Sequence, residues 1–194
     1  MAIHLPFSKL SSWQQMAFAC TLLERMLPNY VMFSQAADFG DSNLLKNQLA
    51  LLWQRLDKSQ KVKINVDAQI TKLELQIPEP EDFDFFGVYP ALDCTMAMLS
   101  MLQSISSNEG EELTNVSKLS EGSVRHYLEL VFAEQGYDDV SEEMLREHPL
   151  LQWEIATQNE VFDYLKKAPE NSKTIKHLKA LAREEGVSNL GIEF

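Results

Sequence analysis

Residues 88–105 constrain this chain more than any other segment. Val88, Ala91, Leu92, Cys94, Met96, Ala97, Met98, Leu99, Met101, Leu102 and Ile105 are apolar. At about 100° per residue they reach nearly every side of a helix. A helix that is apolar all round is a central one, packed by neighbours on most faces. The rest of the chain therefore has to supply those neighbours as amphipathic helices.

It does so from end to end. Trp13, Met16, Ala17, Cys20, Leu23 and Leu27 recur at steps of three and four, behind Ser11 and Ser12 with Gln14 and Gln15 three residues on, the spacing of a capping box. Pro28 suits the first turn of a second, short helix carrying Val31, Met32 and Ala36. Asp41 caps a helix with the face Leu45, Gln48, Leu49, Leu52, Trp53 and Leu56. Val66, Ile70, Leu73 and Ile77 form the next stripe, which Pro78 and Pro80 end. Residues 106–110 are a polar break. Val116, Leu119, Val124, Leu128, Val131 and Phe132 then read as one interrupted helix or two, ending at Gly136. Ser141 opens a short acidic helix that His148-Pro149 stops, since the residue before proline avoids the helical region. Leu151, Ile155, Gln158, Phe162 and Leu165 give a regular stripe, and Ile175, Leu178, Leu181 and Ala182 the last one. Gly186 is placed as its left-handed cap. The expectation is an all-α, single-domain bundle of about eight helices spanning 1–194 around the central helix at about 88–105. Connections are short and no strand is expected.

Charge narrows the function classes. Seventeen basic against twenty-nine acidic residues give a net charge of −12, which argues against nonspecific nucleic-acid and anionic-membrane binding. No run approaches the ~18 apolar residues a spanning helix needs. The start of the chain, Met-Ala-Ile-His-Leu-Pro, lacks the basic and apolar regions of a secretion signal. A cytoplasmic protein with Cys20 and Cys94 reduced is expected.

The stretches ERMLPNYVMF (24–33), DFGD (38–41), DFDFFGVYPALDC (82–94) and SNLGIEF (188–194) together resemble the YjaG family of uncharacterised bacterial proteins. The resemblance runs over almost the whole chain. It implies a helical bacterial cytoplasmic protein and brings no reaction or catalytic residue with it. Phe86 stands where the family pattern leads one to expect Tyr, so a hydroxyl there is not essential in this chain.

Two constellations stand out. Glu24, Arg25, Asn29 and Tyr30, with Asp38 and Asp41, place charges, an amide and a phenol around Pro28. An arginine fork beside a carboxylate can take a small anion or a partner's acid. The structural alternative pairs Arg25 with an acid of another helix and leaves Asn29, Asp38 and Asp41 to cap and turn. In the second, Asp82, Asp84 and Asp93 could hold Mg²⁺ beside Phe83, Phe85, Phe86 and Tyr89. The competing reading is an aromatic plug in the bundle, with the acids as caps.

Weaker signals add little. Glu142, Glu143, Glu147, Glu160 and Asp163 approach the EExxE…ExxD spacing of all-α Mg²⁺-dependent nucleotide pyrophosphohydrolases, but the first half has a residue too many and Pro149 separates the halves. Lys166, Lys167, Lys173, Lys176, Lys179 and Arg183 form a basic stripe without interleaved aromatics, the pattern of a solvated last helix. His4, His126, His148 and His177 form no HExxH or Glu-x-x-His motif. The apolar residues of 190–194 predict a tail tied to its own bundle or to a second subunit.

These readings favour a non-enzymatic helical module that binds a protein partner, with homodimerisation open to it, and no catalytic set, metal site or cofactor. The alternative is a small-molecule or Mg²⁺-binding protein, hydrolysis being the reaction it would serve. Its site would lie between the 24–41 and 82–93 motifs.

Overall fold

A computed structural model describes residues 5–107 and 111–193, apart from the side chain of Glu111. The described residues hold eight α-helices: α1 (Ser12–Ala37), α2 (Ser42–Leu56), α3 (Val66–Glu74), α4 (Val88–Ser107), α5 (Glu111–Glu134), α6 (Glu142–Glu147), α7 (Pro149–Leu165) and α8 (Ser172–Arg183). Two 3-10 turns, Phe7–Lys9 and Pro80–Asp82, complete the helical elements. The only β pairing among the described residues is an isolated bridge between Val187 and Glu193.

Local chemistry sets most boundaries. Ser11 Oγ accepts the Gln14 N–H at 3.2 Å while Gln14 Oε1 accepts the Ser11 N–H at 2.9 Å, a reciprocal cap that starts α1. Asp41 and Ser141 cap α2 and α6 in the same manner, each accepting a backbone N–H of the first turn. Pro149 opens α7, where its missing N–H has no intrahelical use. Asn65 and Asn171 cap α3 and α8.

Two expectations fail. Pro28 opens no second helix, because α1 runs through it for 26 residues. Proline supplies no N–H to the Glu24 carbonyl and crowds the preceding turn. The backbone N–H of Asn189, from the tail, reaches the adjacent Arg25 carbonyl at 3.1 Å, and burial of Glu24, Arg25, Met26, Pro28, Asn29 and Tyr30 outweighs the local defect. The second failure is α5, which is a single unbroken helix. Its polar residues looked like a break, but they face partners: Ser117 donates to Gln158, Ser120 to Glu154 and Ser123 to Asp93. Of the polar break expected at 106–110, Ser106 and Ser107 finish α4, and 108–110 lie outside the described residues.

The centre of the molecule is shared by α4 and α1. Along α4, Cys94, Ala97, Met98 and Met101 are fully buried while Tyr89 and Met96 reach solvent. Along α1, every residue from Ala17 to Met26 is buried. These helices pack on each other and on α5, with α2, α7 and α8 also against α1 and α3 against α4. One large apolar cluster joins them, and a smaller one (Val124, Leu128, Leu145, Leu151, Leu190) lies where α5, α6, α7 and the tail meet. The tail is thus held on its own bundle: Ser188 and Asn189 are fully buried, and Leu190 nearly so. Phe194, the last residue of that expectation, lies outside the described residues.

Candidate functional site

The first constellation resolves into structural pairings. Arg25, 2% exposed, bonds through Nη1 to Glu154 of α7, which is fully buried, and lies over the Trp153 ring at 4.4 Å from its centroid. Glu154 Oε1 also accepts Ser120 Oγ at 2.6 Å and Gln158 Nε2 at 2.8 Å. Asn29 donates to Asn189 Oδ1 at 2.8 Å, and Asn189 Nδ2 donates to the Ser120 carbonyl at 3.2 Å. Residues of α1, α5, α7 and the tail therefore form one buried polar network. Such networks carry high stakes, since every partner removed leaves another group buried and unmatched.

Glu24, one residue earlier, faces elsewhere. Its carboxylate accepts Trp53 Nε1 at 2.8 Å and the exposed Arg183 at 2.8 Å. It lines one end of a groove of about 580 Å³ floored by Leu27, Pro28, Val31 and Met32. Tyr30 donates to the Gln76 carbonyl at 3.0 Å, and burial pushes its phenol well above the usual range. Asp38 ends α1 in the left-handed conformation at φ 50°, and Asp41 caps α2.

The second constellation meets the first through rings, not through charges. Phe33 of α1 stacks with Phe85 at 5.7 Å between centroids and packs edge-on to Phe83 at 4.9 Å. Phe39 completes this contact against Phe83 at 5.5 Å. Asp93 is held by Ser123 of α5, and burial raises its carboxyl above the ordinary range, against smaller downward pulls from Ser123 and His126. Asp82 is exposed in the 3-10 turn. Arg25 is bonded to Glu154 and Asp93 to Ser123, while Asp84 lines a separate groove.

Asp84 and Tyr89 line the surface with the clearest recognition chemistry. A groove of about 470 Å³ runs between the 83–89 segment and α5, walled by Phe85, Phe86 and Tyr89 on one side and by His126, Glu129 and Ala133 on the other. Phe86 contacts Tyr89 at 5.8 Å, His126 at 5.3 Å and Tyr127 at 5.9 Å, and Tyr89 contacts His126 at 4.7 Å. Phe85 is 40% and Tyr89 39% exposed. Among the described residues, Asp84 and Glu129 are the acids of the groove, and no Lys or Arg lines it. Gly87 lets the segment fold back, since a Cβ there would stand 2.7 Å from the Phe85 ring. Sequence reading missed His126, Glu129 and Ala133, although their three- and four-residue spacing puts them on one face of α5.

The remaining sequence signals are surface features. Glu142 pairs with Arg125 at 3.1 Å, and Glu160 and Asp163 are exposed. From the basic stripe, Arg183 serves Glu24, Lys179 lies over Trp53 at 5.3 Å and Lys166 pairs with Asp163 at 3.3 Å. Among the described residues no three His, Cys, Asp or Glu side chains gather into a metal-holding group, and no helix is long and apolar enough to cross a membrane.

Comparison with known proteins agrees with the fold and adds no activity. Residues 2–193 match the family described as "Protein of unknown function (DUF416)". The Escherichia coli K12 protein called "Uncharacterized protein YjaG" is 39% identical over 193 residues, covering 99% of this chain and 96% of its own. An "Uncharacterized protein" of Haemophilus influenzae is 38% identical over 195 residues, covering 99% of this chain and 97% of its own. The crystal structure of a DUF416 family protein from Shewanella baltica OS155 superposes with a TM-score of 0.88 at 36% identity, covering 99% of this chain and all of that one.

Proposed function

This chain belongs to the DUF416 family of proteins of unknown function, and from that premise we propose that it is a non-enzymatic interaction module whose 83–133 groove receives a basic, partly apolar segment of a bacterial protein. The observation that carries the reading is the pairing of exposed Phe85 and Tyr89 with Asp84 and Glu129 in a groove that no Lys or Arg lines among the described residues. Large aromatic side chains left in solvent beside acids suit an arginine or lysine, whose cation lies over a ring while its charge meets a carboxylate. Aromatic and arginine contacts carry a disproportionate share of binding energy at protein interfaces. The net charge of −12 would steer a basic partner toward the molecule and speed encounter. The cytoplasm is the compartment this reading requires, and the buried, unpaired Cys20 and Cys94 suit its reducing conditions.

The test is fluorescence anisotropy with a dye-labelled peptide of alternating Arg and Leu, and its Glu-for-Arg counterpart as control. The basic peptide should bind and the acidic one should not. Asp84→Asn with Glu129→Gln, or Tyr89→Ala alone, should weaken binding several-fold. Glu184→Gln with Glu185→Gln removes the same charge elsewhere on the surface and should leave it nearly unchanged. Equal weakening by both charge pairs would mean that net charge alone attracts the peptide, and the groove reading would fail.

A further inference from the structure

We propose a second site: the groove between the start of α1, the end of α2, the end of α4 and the start of α5 binds a nucleoside monophosphate whose base carries an amino group. The groove holds about 620 Å³, inside the range of about 300–1,000 Å³ for small-molecule pockets. Its charge sets it apart. Arg55 and Lys61 line it, both exposed and neither in an ion pair with a described residue, and among the described residues no Asp or Glu lines it. The grooves beside Glu24, Asp84 and Glu160 all carry acids, as a net charge of −12 would lead one to expect. Asp57 and Glu170, on adjoining segments, are bonded to Ser59 at 2.7 Å and to Lys58 at 2.7 Å and leave the two cations unmatched. Two free cations in one groove favour a shared anion, and phosphate suits both.

The wall decides what the anion carries. Trp13 lies in it, half-buried, with its ring fixed by an Nε1–H bond to the Leu56 carbonyl at 2.8 Å, and Ile105 adds apolar surface. A nucleobase stacks on such a ring, whereas a bare phosphate leaves it unused. The polar groups of the wall then select the base. Gln15 donates its amide hydrogens to the Phe7 and Leu10 carbonyls at 3.0 and 3.1 Å, and Ser104 its hydroxyl to the Met101 carbonyl at 2.7 Å. Both have only acceptor oxygen left for a ligand. Adenine and cytosine present an exocyclic amine to an acceptor, and uracil, like thymine, has a carbonyl in that place.

The site is tested by ¹H–¹⁵N NMR of the tryptophan indole signals of the full chain, the Trp13 signal being the one lost in Trp13→Phe. Adenosine, cytidine and uridine monophosphates, adenosine and inorganic phosphate are titrated separately. The adenosine and cytidine nucleotides should shift the Trp13 signal saturably. Uridine monophosphate should bind at least about threefold more weakly, the worth of one hydrogen bond. Adenosine and inorganic phosphate should each bind at least about tenfold more weakly, since each lacks half of the contacts. Arg55→Gln with Lys61→Gln changes only exposed side chains, and should weaken adenosine monophosphate about three- to tenfold while far-UV circular dichroism stays unchanged. Lys72→Gln with Lys118→Gln removes the same charge outside the groove and should leave binding nearly unchanged. No saturable shift with any nucleotide would overturn the proposal. So would an equal response to adenosine monophosphate and either inorganic phosphate or uridine monophosphate, or equal weakening by the two charge pairs.

Discussion

Replacing Arg25 by Met tests the buried polar network most sharply. The substitution keeps side-chain length and apolar packing against Trp153 but removes the positive charge bonded to Glu154. Glu154 is fully buried, so its carboxylate would be left among Ser120 and Gln158 with no cation. Removing one member of a buried ion pair costs about 3–5 kcal/mol. For a chain this long each kcal/mol moves the melting temperature by about 2–4 °C, so the expected fall is roughly 6–20 °C. Urea unfolding followed by far-UV circular dichroism gives the free energy directly. Glu154→Gln in the same background removes the stranded charge and keeps an acceptor for Ser120. The double variant should therefore recover part of the loss, with a coupling of about 1–3 kcal/mol. An Arg25→Met protein within about 1 kcal/mol of the parent would refute the reasoning. Strictly additive losses in the double variant would do the same.

Three further predictions rest on single contacts. Gly40 sits at φ +68°, and a Cβ there would overlap Tyr30 Oη; Gly40→Ala should cost at least about 1–2 kcal/mol by urea midpoint. Asp93 holds its proton to higher pH folded than unfolded, so the stability it contributes is complete below the ordinary carboxylate range and lost as pH rises through the raised value. The melting temperature of the parent should accordingly lose ground to that of Asp93→Asn between pH 4 and pH 7, and a constant offset across that range would contradict the assignment. Gly87→Ala should displace the Phe85 ring from its stack on Phe33. Peptide affinity at the groove should then drop several-fold, while the melting temperature changes by only a few degrees.

How far the sequence revealed this molecule depended on whether a signal was local. Capping by Ser11, Asp41 and Ser141 is settled within four residues, so those helix starts were legible. Pro28 was misread because local propensity argues for a break, whereas the surrounding helices and the Asn189 N–H hold α1 continuous from outside. The polar run of α5 was misread for the same reason, its serines being matched by Asp93, Glu154 and Gln158 on other helices. Arg25 was visible as a residue needing an acid, but Glu154 stands 129 positions away and nothing in the spacing named it. At the candidate groove, the aromatic loop and Asp84 were legible by composition. The α5 half was hidden, because nothing in the local pattern of His126 and Glu129 names the distant loop that is laid against them.

The central claim is that the groove between residues 83–89 and α5 takes a basic partner segment. Site-specific photocrosslinking in living bacterial cells reads it most directly, with a benzophenone amino acid placed at Tyr89 and, for comparison, at Tyr137, which is 50% exposed and does not line that groove. The account predicts discrete adducts from position 89 alone, mapping by mass spectrometry to Lys- or Arg-rich segments, and their loss in Asp84→Asn with Glu129→Gln. Adducts common to both positions, or adducts from position 89 that map to acidic or uncharged segments, would contradict it.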